Sequence, residues 1–272
     1  MMKLKEIESK SILVKSGLST VDYVVNPYIG CMHGCIFCYA RFMKRFTGHK
    51  EEWGQFVDAK VNAADLVKNG EKYRGKSVFF CSTTDPYHPP EARYKLTRQV
   101  LEKLIPHQPN ISVQSKSDLI VRDIDLFKQF KHIIAGISIS TLDESIQKKV
   151  EPLASSPKRR IAALKKMKKS GLKTYCFVSP IFPGITNWKA ILRKTKSFVD
   201  EYWFENLNFY PSIRANMYNF LEEYDPKLVD KYREIYTKGN SYWYDVEKEI
   251  ASYCKKNKIK CKIYFHHKSM TK

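Results

Sequence analysis

The sequence predicts an α/β protein built as a partial (β/α)6 barrel with a C-terminal helical cap. Short apolar runs alternate with segments whose apolar residues recur at helical spacing, the pattern of a parallel sheet with right-handed crossovers. The alternation repeats about six times, too few for the eight units that close a barrel. The residues ending the apolar runs are polar, and parallel β/α architectures gather their ligands at those strand ends.

The elements follow in order. Residues 1–19 are charged and weakly patterned, an arm packed on or near the first strand at Tyr23–Val25. Residues 40–46 are basic and aromatic and read as a helix with Arg41 and Lys44 on its solvated face, Trp53 and Phe56 cover the barrel edge, and 57–61 forms a small extra strand. A strand at 77–81 leads to a helix at 92–105, where Leu96, Val100, Leu101, Leu104 and Ile105 share one face. Further pairs follow: strand 111–114 with helix 124–130, strand 133–140 with helix 157–170, and strand 174–178 with helix 188–199. Gly171 stops the second of these helices. Strand 202–209 completes the barrel, and 218–236 and 242–255 read as two helices before a last strand at 259–265. With no Gly/Pro/Ser-rich linker, the expectation is one domain over 1–272, its core at about 20–210 and a helical extension at about 211–272.

The chain has 272 residues and 43% hydrophobic composition, enough for a substantial core. No apolar stretch approaches the ~20 residues needed to span a bilayer, and no leader opens the chain, so the expectation is a cytoplasmic protein without a membrane partner. Lys and Arg number 48 against 28 Asp and Glu, a formal net charge of +20. Such an excess favours polyanions, and DNA or RNA is the expected partner. Against this, the lysines are spread along the chain without one dense block, as they are in a generally basic proteome.

Residues 26–41 read Asn-Pro-Tyr-Ile-Gly-Cys-Met-His-Gly-Cys-Ile-Phe-Cys-Tyr-Ala-Arg. Cys31, Cys35 and Cys38 form a Cys-x3-Cys-x2-Cys array just after a strand. Structural zinc takes four ligands; three thiolates on a four-iron cluster leave one iron open to a small molecule. A zinc site completed by His33 is the alternative, and it requires four donors to converge from one very short loop. Disulfides fit poorly with seven cysteines.

With its flanks, the array resembles the radical S-adenosylmethionine (SAM) enzymes, in the branch related to spore photoproduct lyase. Separated segments carry the resemblance from residue 26 to about 208: Thr84 to Tyr87 with Glu91; Ser115-Lys116-Ser117 with Arg122 and Asp123, where the branch has Thr at the first position; Glu151-Pro152 with Arg160, or Arg159; and Pro183 to Asn187. The resemblance implies a barrel of the radical SAM type, a [4Fe-4S] cluster on Cys31, Cys35 and Cys38, and SAM as cofactor. It implies SAM-site roles for Phe37 beside the adenine, Lys116 against the carboxylate, Ser138 or Ser140 toward ribose or carboxylate, and Thr84, Asp85 and Arg160. A reductant such as ferredoxin or flavodoxin would supply the electron that cleaves SAM to a 5′-deoxyadenosyl radical. In the lyase a cysteine before the corresponding segment donates hydrogen; Cys81 is displaced from that place by one residue. Ser138 and Ser140 otherwise satisfy strand ends, Phe37 core packing, and Lys116 a surface pair with Asp118.

The sequence therefore leads to a radical SAM enzyme, lyase-like or modifying, with a nucleic acid or nucleotide as favoured substrate and Tyr87 and Tyr210 as stacking platforms. A peptide or protein maturase is the second enzyme reading, which auxiliary cysteines would favour; Cys254 and Cys261 are only two. A basic, zinc-holding nucleic-acid module is the non-enzymatic reading.

Overall fold

A computed structural model describes residues 2–237 and 240–266. Its strands are β1 (Lys3–Ile7), β2 (Leu13–Lys15), β3 (Tyr23–Val25), β4 (Tyr28–Ile29), β5 (Phe56–Lys60), β6 (Ser77–Phe80), β7 (Asn110–Ser115), β8 (Ile133–Ser138), β9 (Lys173–Ile181), β10 (Glu201–Asn206) and β11 (Cys261–Ile263). The main sheet runs β11-β10-β9-β8-β7-β6-β3-β2. All its neighbours are parallel except β2, which lies antiparallel on the β3 edge. Strands in chain order side by side, with helices between them, make the partial barrel, and the C-terminal ends of β3 and β6 to β10 open on one side.

Local chemistry sets the element ends. Ser156 caps helix Pro157–Lys169 through the Arg159 amide, with Pro157 in the first turn. Gly171 follows at φ +87, where a side chain would be strained. Inside the barrel wall the core is continuous through Val78, Phe80, Val113, Ala135, Ile137, Val178 and Phe204. No helix among the described residues is long and apolar enough to cross a membrane.

Several elements depart from the expectation. The arm at 1–19 contains two strands: β1 pairs parallel with β5, which pairs with β4, giving a separate three-stranded sheet beside the cysteine loop. The helix expected at 92–105 is broken at Lys95, whose φ of 54 separates Glu91–Tyr94 from Leu96–Leu104. The segment after the cysteines, Tyr39–Phe46, is 3-10 rather than α. The single helix expected at 218–236 is two, Pro211–Tyr224 and Lys227–Ile235, separated at Asp225-Pro226. A proline restricts the residue before it away from helical geometry. A helix at Glu144–Val150, capped by Asp143, was not anticipated.

The helical cap is followed by the expected last strand, shorter than the 259–265 read from sequence. After helix Tyr242–Lys256 the chain returns to the barrel as β11 beside β10. Helices Pro211–Tyr224 and Lys227–Ile235 build a second core of Ile213, Met217, Leu221 and Tyr232 with Val150 and Phe182, and Ile36 and Phe37 of the cysteine loop pack against it. The cap thus buries one flank of the loop that carries the chemistry.

Candidate active site

Backbone geometry comes first in building the cysteine loop. Gly30 enters it at φ +81, and a Cβ there would sit 2.4 Å from the Phe56 carbonyl oxygen. Only glycine fits that approach. Thr84 Oγ1 donates to the Gly30 carbonyl at 2.7 Å, tying the loop to the end of β6. The Ile36 amide donates to the Val150 carbonyl at 3.0 Å, and the Leu153 amide to the His33 carbonyl at 3.4 Å. Arg41 is not on a solvated face. It donates to the Asn216 side-chain oxygen at 3.1 and 2.8 Å, in the amide orientation that satisfies both groups, and so fastens the loop to the cap.

Cys31 and Cys35 are buried, and Cys38 is half-buried. Burial pushes the Cys31 thiol up to about 12 and Cys35 well above its ordinary value, while Lys116 acts in the opposite direction on Cys35. Amides of Asp85 and His33 act on the Cys31 sulfur, and the Ala40 amide on that of Cys38, each favouring the thiolate. N–H groups aimed at sulfur are the usual second layer around iron–sulfur ligands. The buried indole N–H of Trp53 also acts on the Cys38 sulfur in the same direction. Among the described residues no three His, Cys, Asp or Glu side chains converge on a single ion. His33 is buried, and its Nδ1 faces Asp85 Oδ2 at 3.5 Å. In a cluster held by three thiolates each would take a different iron.

The thiols line a cavity of about 1270 Å³. It runs the length of the barrel, from Ser77, Asn110, His132 and Lys173 at the strand starts to the thiols and Lys116 at their ends. Of the residues singled out from sequence, Phe37, Cys81, Thr84, Asp85 and Lys116 line it with the three cysteines. Lys116 Nζ lies 5.8 Å from the Phe37 ring centre. Burial works against the Lys116 charge, but Cys35, Glu151 and Asp85 outweigh it and hold the ammonium above its ordinary pKa. Asp118 is not its partner; it pairs with Arg159 and Ser155. Asp85 accepts from Ser115 Oγ and the Lys116 amide, both at 2.7 Å, and from the Tyr87 amide at 2.9 Å. Its carboxyl is held below the usual range, burial being outweighed by His33 and these donors.

Ser138, Ser140 and Arg160 are fully buried and stand behind the cavity wall. Arg160, not Arg159, meets Glu151, at 2.5 Å, and it also donates to the Ser138 and Ser155 carbonyls. Ser140 Oγ donates to Glu151 at 3.4 Å. Tyr87 is completely buried under the Arg122 guanidinium and offers no face to a base, whereas Tyr210 is 42% exposed at the cavity rim. Cys254 and Cys261, close together in sequence and far from the triplet, are in contact.

Sequence reasoning missed the opposite wall. There Ser179 Oγ donates to Glu205 Oε2 at 2.6 Å, and His266 Nε2 meets Glu205 Oε1 at 3.0 Å. The His266 amide donates to Asn206 Oδ1 at 2.8 Å, leaving the buried Asn206 Nδ2 without a partner. Glu205 and Asn206 are polar residues at the end of β10, and nothing local in the sequence could have brought His266 to them.

A family model described as Radical SAM superfamily matches residues 25–193. The chain belongs to that superfamily. An uncharacterised protein of Methanocaldococcus jannaschii is 37% identical over 227 residues, 82% of this chain and 86% of that one. The Radical SAM Nalpha-GlyT isomerase of Pseudomonas phage M6 is 28% identical over 165 residues, 60% of this chain and 34% of that one. Among solved structures, spore photoproduct lyase complexed with dinucleoside spore photoproduct superposes with a TM-score of 0.70 at 16% identity, over 96% of this chain and 82% of that one. The barrel and cap therefore follow a radical SAM, spore-photoproduct-lyase-like plan, and this chain is a radical SAM enzyme. Membership implies a [4Fe-4S] cluster and SAM.

Proposed function

We propose that Cys31, Cys35 and Cys38 hold a [4Fe-4S] cluster, that SAM binds beside it in the barrel cavity, and that the enzyme acts on a nucleic acid or nucleotide. The observation carrying the cofactor site is the meeting of Lys116, Phe37 and Cys35 on one side of that cavity. When bound, the cluster with SAM supplies reductive cleavage to a 5′-deoxyadenosyl radical, the electron coming from a ferredoxin or flavodoxin. The chain's own residues do the rest. Lys116, kept charged, would neutralise the SAM carboxylate, and Phe37 would border the adenine. Thr84 fastens the cysteine loop, and Asp85 sets the Lys116 backbone. Arg160 and Glu151 lock the β8 end, where Ser138 and Ser140 complete the network, so these polar groups act through their neighbours.

Cys81 lines the same cavity and is buried, which pushes its thiol well above its ordinary pKa. The protonated thiol is the form that gives a hydrogen atom to a substrate carbon radical, and we assign it that role. Support for a nucleic-acid substrate comes from the +20 charge and from the likeness to a lyase solved with a dinucleoside.

The test is anaerobic reconstitution with iron and sulfide, reduction, incubation with SAM, and assay of 5′-deoxyadenosine with and without single-stranded DNA, duplex DNA and RNA. Turnover that rises with one of these polymers is expected. SAM cleavage indifferent to all of them would transfer the substrate to the peptide or small-molecule class.

A further inference from the structure

Exposed aromatic rings are concentrated where the site meets solvent. Tyr39, Phe42 and Phe46 are 47%, 40% and 66% exposed, and all lie on the eight-residue 3-10 segment that follows Cys38. With three residues per turn, positions 39, 42 and 45 fall on one face of such a segment, and 46 adjoins them. The Tyr39 and Phe42 rings stand 6.4 Å apart and 29° from parallel. The Arg45 guanidinium lies 4.7 Å from the Phe46 ring centre and 5.5 Å from that of Phe42. Tyr39 lines the cavity, its hydroxyl bonded to the Ser82 carbonyl, and Tyr210 lines the same cavity. The strip therefore begins at the cavity mouth and runs outward. From residue 39 to residue 50 there is no Asp or Glu, while Lys44, Arg45 and Lys50 contribute cations and Arg41 turns to the cap.

A contiguous exposed apolar patch marks an interaction site, and its chemistry here is specific. Flat rings bordered by guanidinium and ammonium groups stack unpaired bases while cations track the phosphates. A duplex keeps its base faces stacked internally and offers nothing to such rings. An acidic electron-donor protein would be served by the cations alone, with no need for three bare rings.

We propose that Tyr39, Phe42, Phe46 and Arg45 form a docking strip for single-stranded nucleic acid, delivering the strand to the cavity mouth beside Tyr210. The proposal rests on the nucleic-acid reading above and gives it a strand form and a surface. Bases stack on Phe42 and Phe46, and Arg45 holds the backbone between them.

The experiment measures anisotropy of fluorescein-labelled DNA and RNA single strands of about a dozen nucleotides, and of the matching duplex, against the full reconstituted chain over a salt series. Phe42→Ala and Phe46→Ala should each weaken single-strand binding roughly 5- to 100-fold, with duplex binding and the salt slope unchanged. Phe46→Leu, which keeps apolar bulk and lacks a stacking face, should weaken it likewise, and its exposed position leaves the fold intact. Arg45→Ala should flatten the salt slope by about 0.7. SAM cleavage without nucleic acid should be the same in all four variants. Wild-type protein that binds no strand at low salt overturns the nucleic-acid reading itself. Wild-type binding that the ring variants match overturns the strip alone. Loss of reduction by flavodoxin, with normal reduction by dithionite and normal strand binding, overturns the strip by giving it to the electron donor.

Discussion

Both oxygens of Asp85 are engaged inside the protein, by the Ser115 hydroxyl, two amides and the His33 ring. Asp85→Asn puts an N–H against the Lys116 amide and leaves a buried donor unsatisfied, a loss of about 1–3 kcal/mol. Its folded pKa is depressed, so the stability it supplies is present above its unfolded value near ~3.9 and lost as pH falls through the lower folded value. Denaturant midpoints should show the variant weaker at neutral pH and the gap closing toward strong acid; equal midpoints at neutral pH would remove Asp85 from this role. Lys116→Met should reduce SAM affinity by about 10-fold or more, the scale of a hydrogen bond to a charged group, with iron content retained. Isothermal titration with SAM checks the first and iron assay the second. At this scale much of the cavity lining was legible, because it includes residue types that ordinary strand ends do not demand: three thiols and a lysine between two serines. Burial was not legible. The same polar signal marked Lys116, which faces the cavity, and Ser138, Ser140 and Arg160, which stand behind it.

Elements position the cysteine loop from two sides, the glycine turn packed on β5 and the cap helices on Ile36 and Phe37. Met217 is fully buried in the cap core. Met217→Ala should destabilise by about 2–5 kcal/mol and lower iron retention after reconstitution, although the residue touches no ligand. Thermal melting and iron per chain measure the two effects; unchanged iron in a destabilised variant would mean the loop stands without the cap. Residues 218–236 were read as one helix where there are two, Pro211–Tyr224 and Lys227–Ile235, and Asp225-Pro226 was the available signal. The parallel pairing of β1 with β5 joins residues more than fifty positions apart, and the charged strand β1 has no alternation to announce it. Helix Glu144–Val150, at seven residues, is too short for periodicity to stand out, although Asp143 accepts from two of its amides.

On the scale of the whole molecule, the parallel sheet brings the ends of β6, β7, β9 and β10 around one large cavity that the cysteine loop also lines. The order of strands and helices was readable because periodicity switches cleanly between two and 3.6 residues along the barrel. The wall of Ser179, Glu205, Asn206 and His266 was not, since it exists only after β11 returns beside β10. The most direct test of the account is electron paramagnetic resonance of the anaerobically reconstituted and reduced protein before and after SAM is added. A reduced four-iron signal that changes on addition of SAM, and is absent after replacement of Cys31, Cys35 and Cys38 with Ala, is the expected result. A full signal in the triple variant, or a wild-type signal indifferent to SAM, would contradict it.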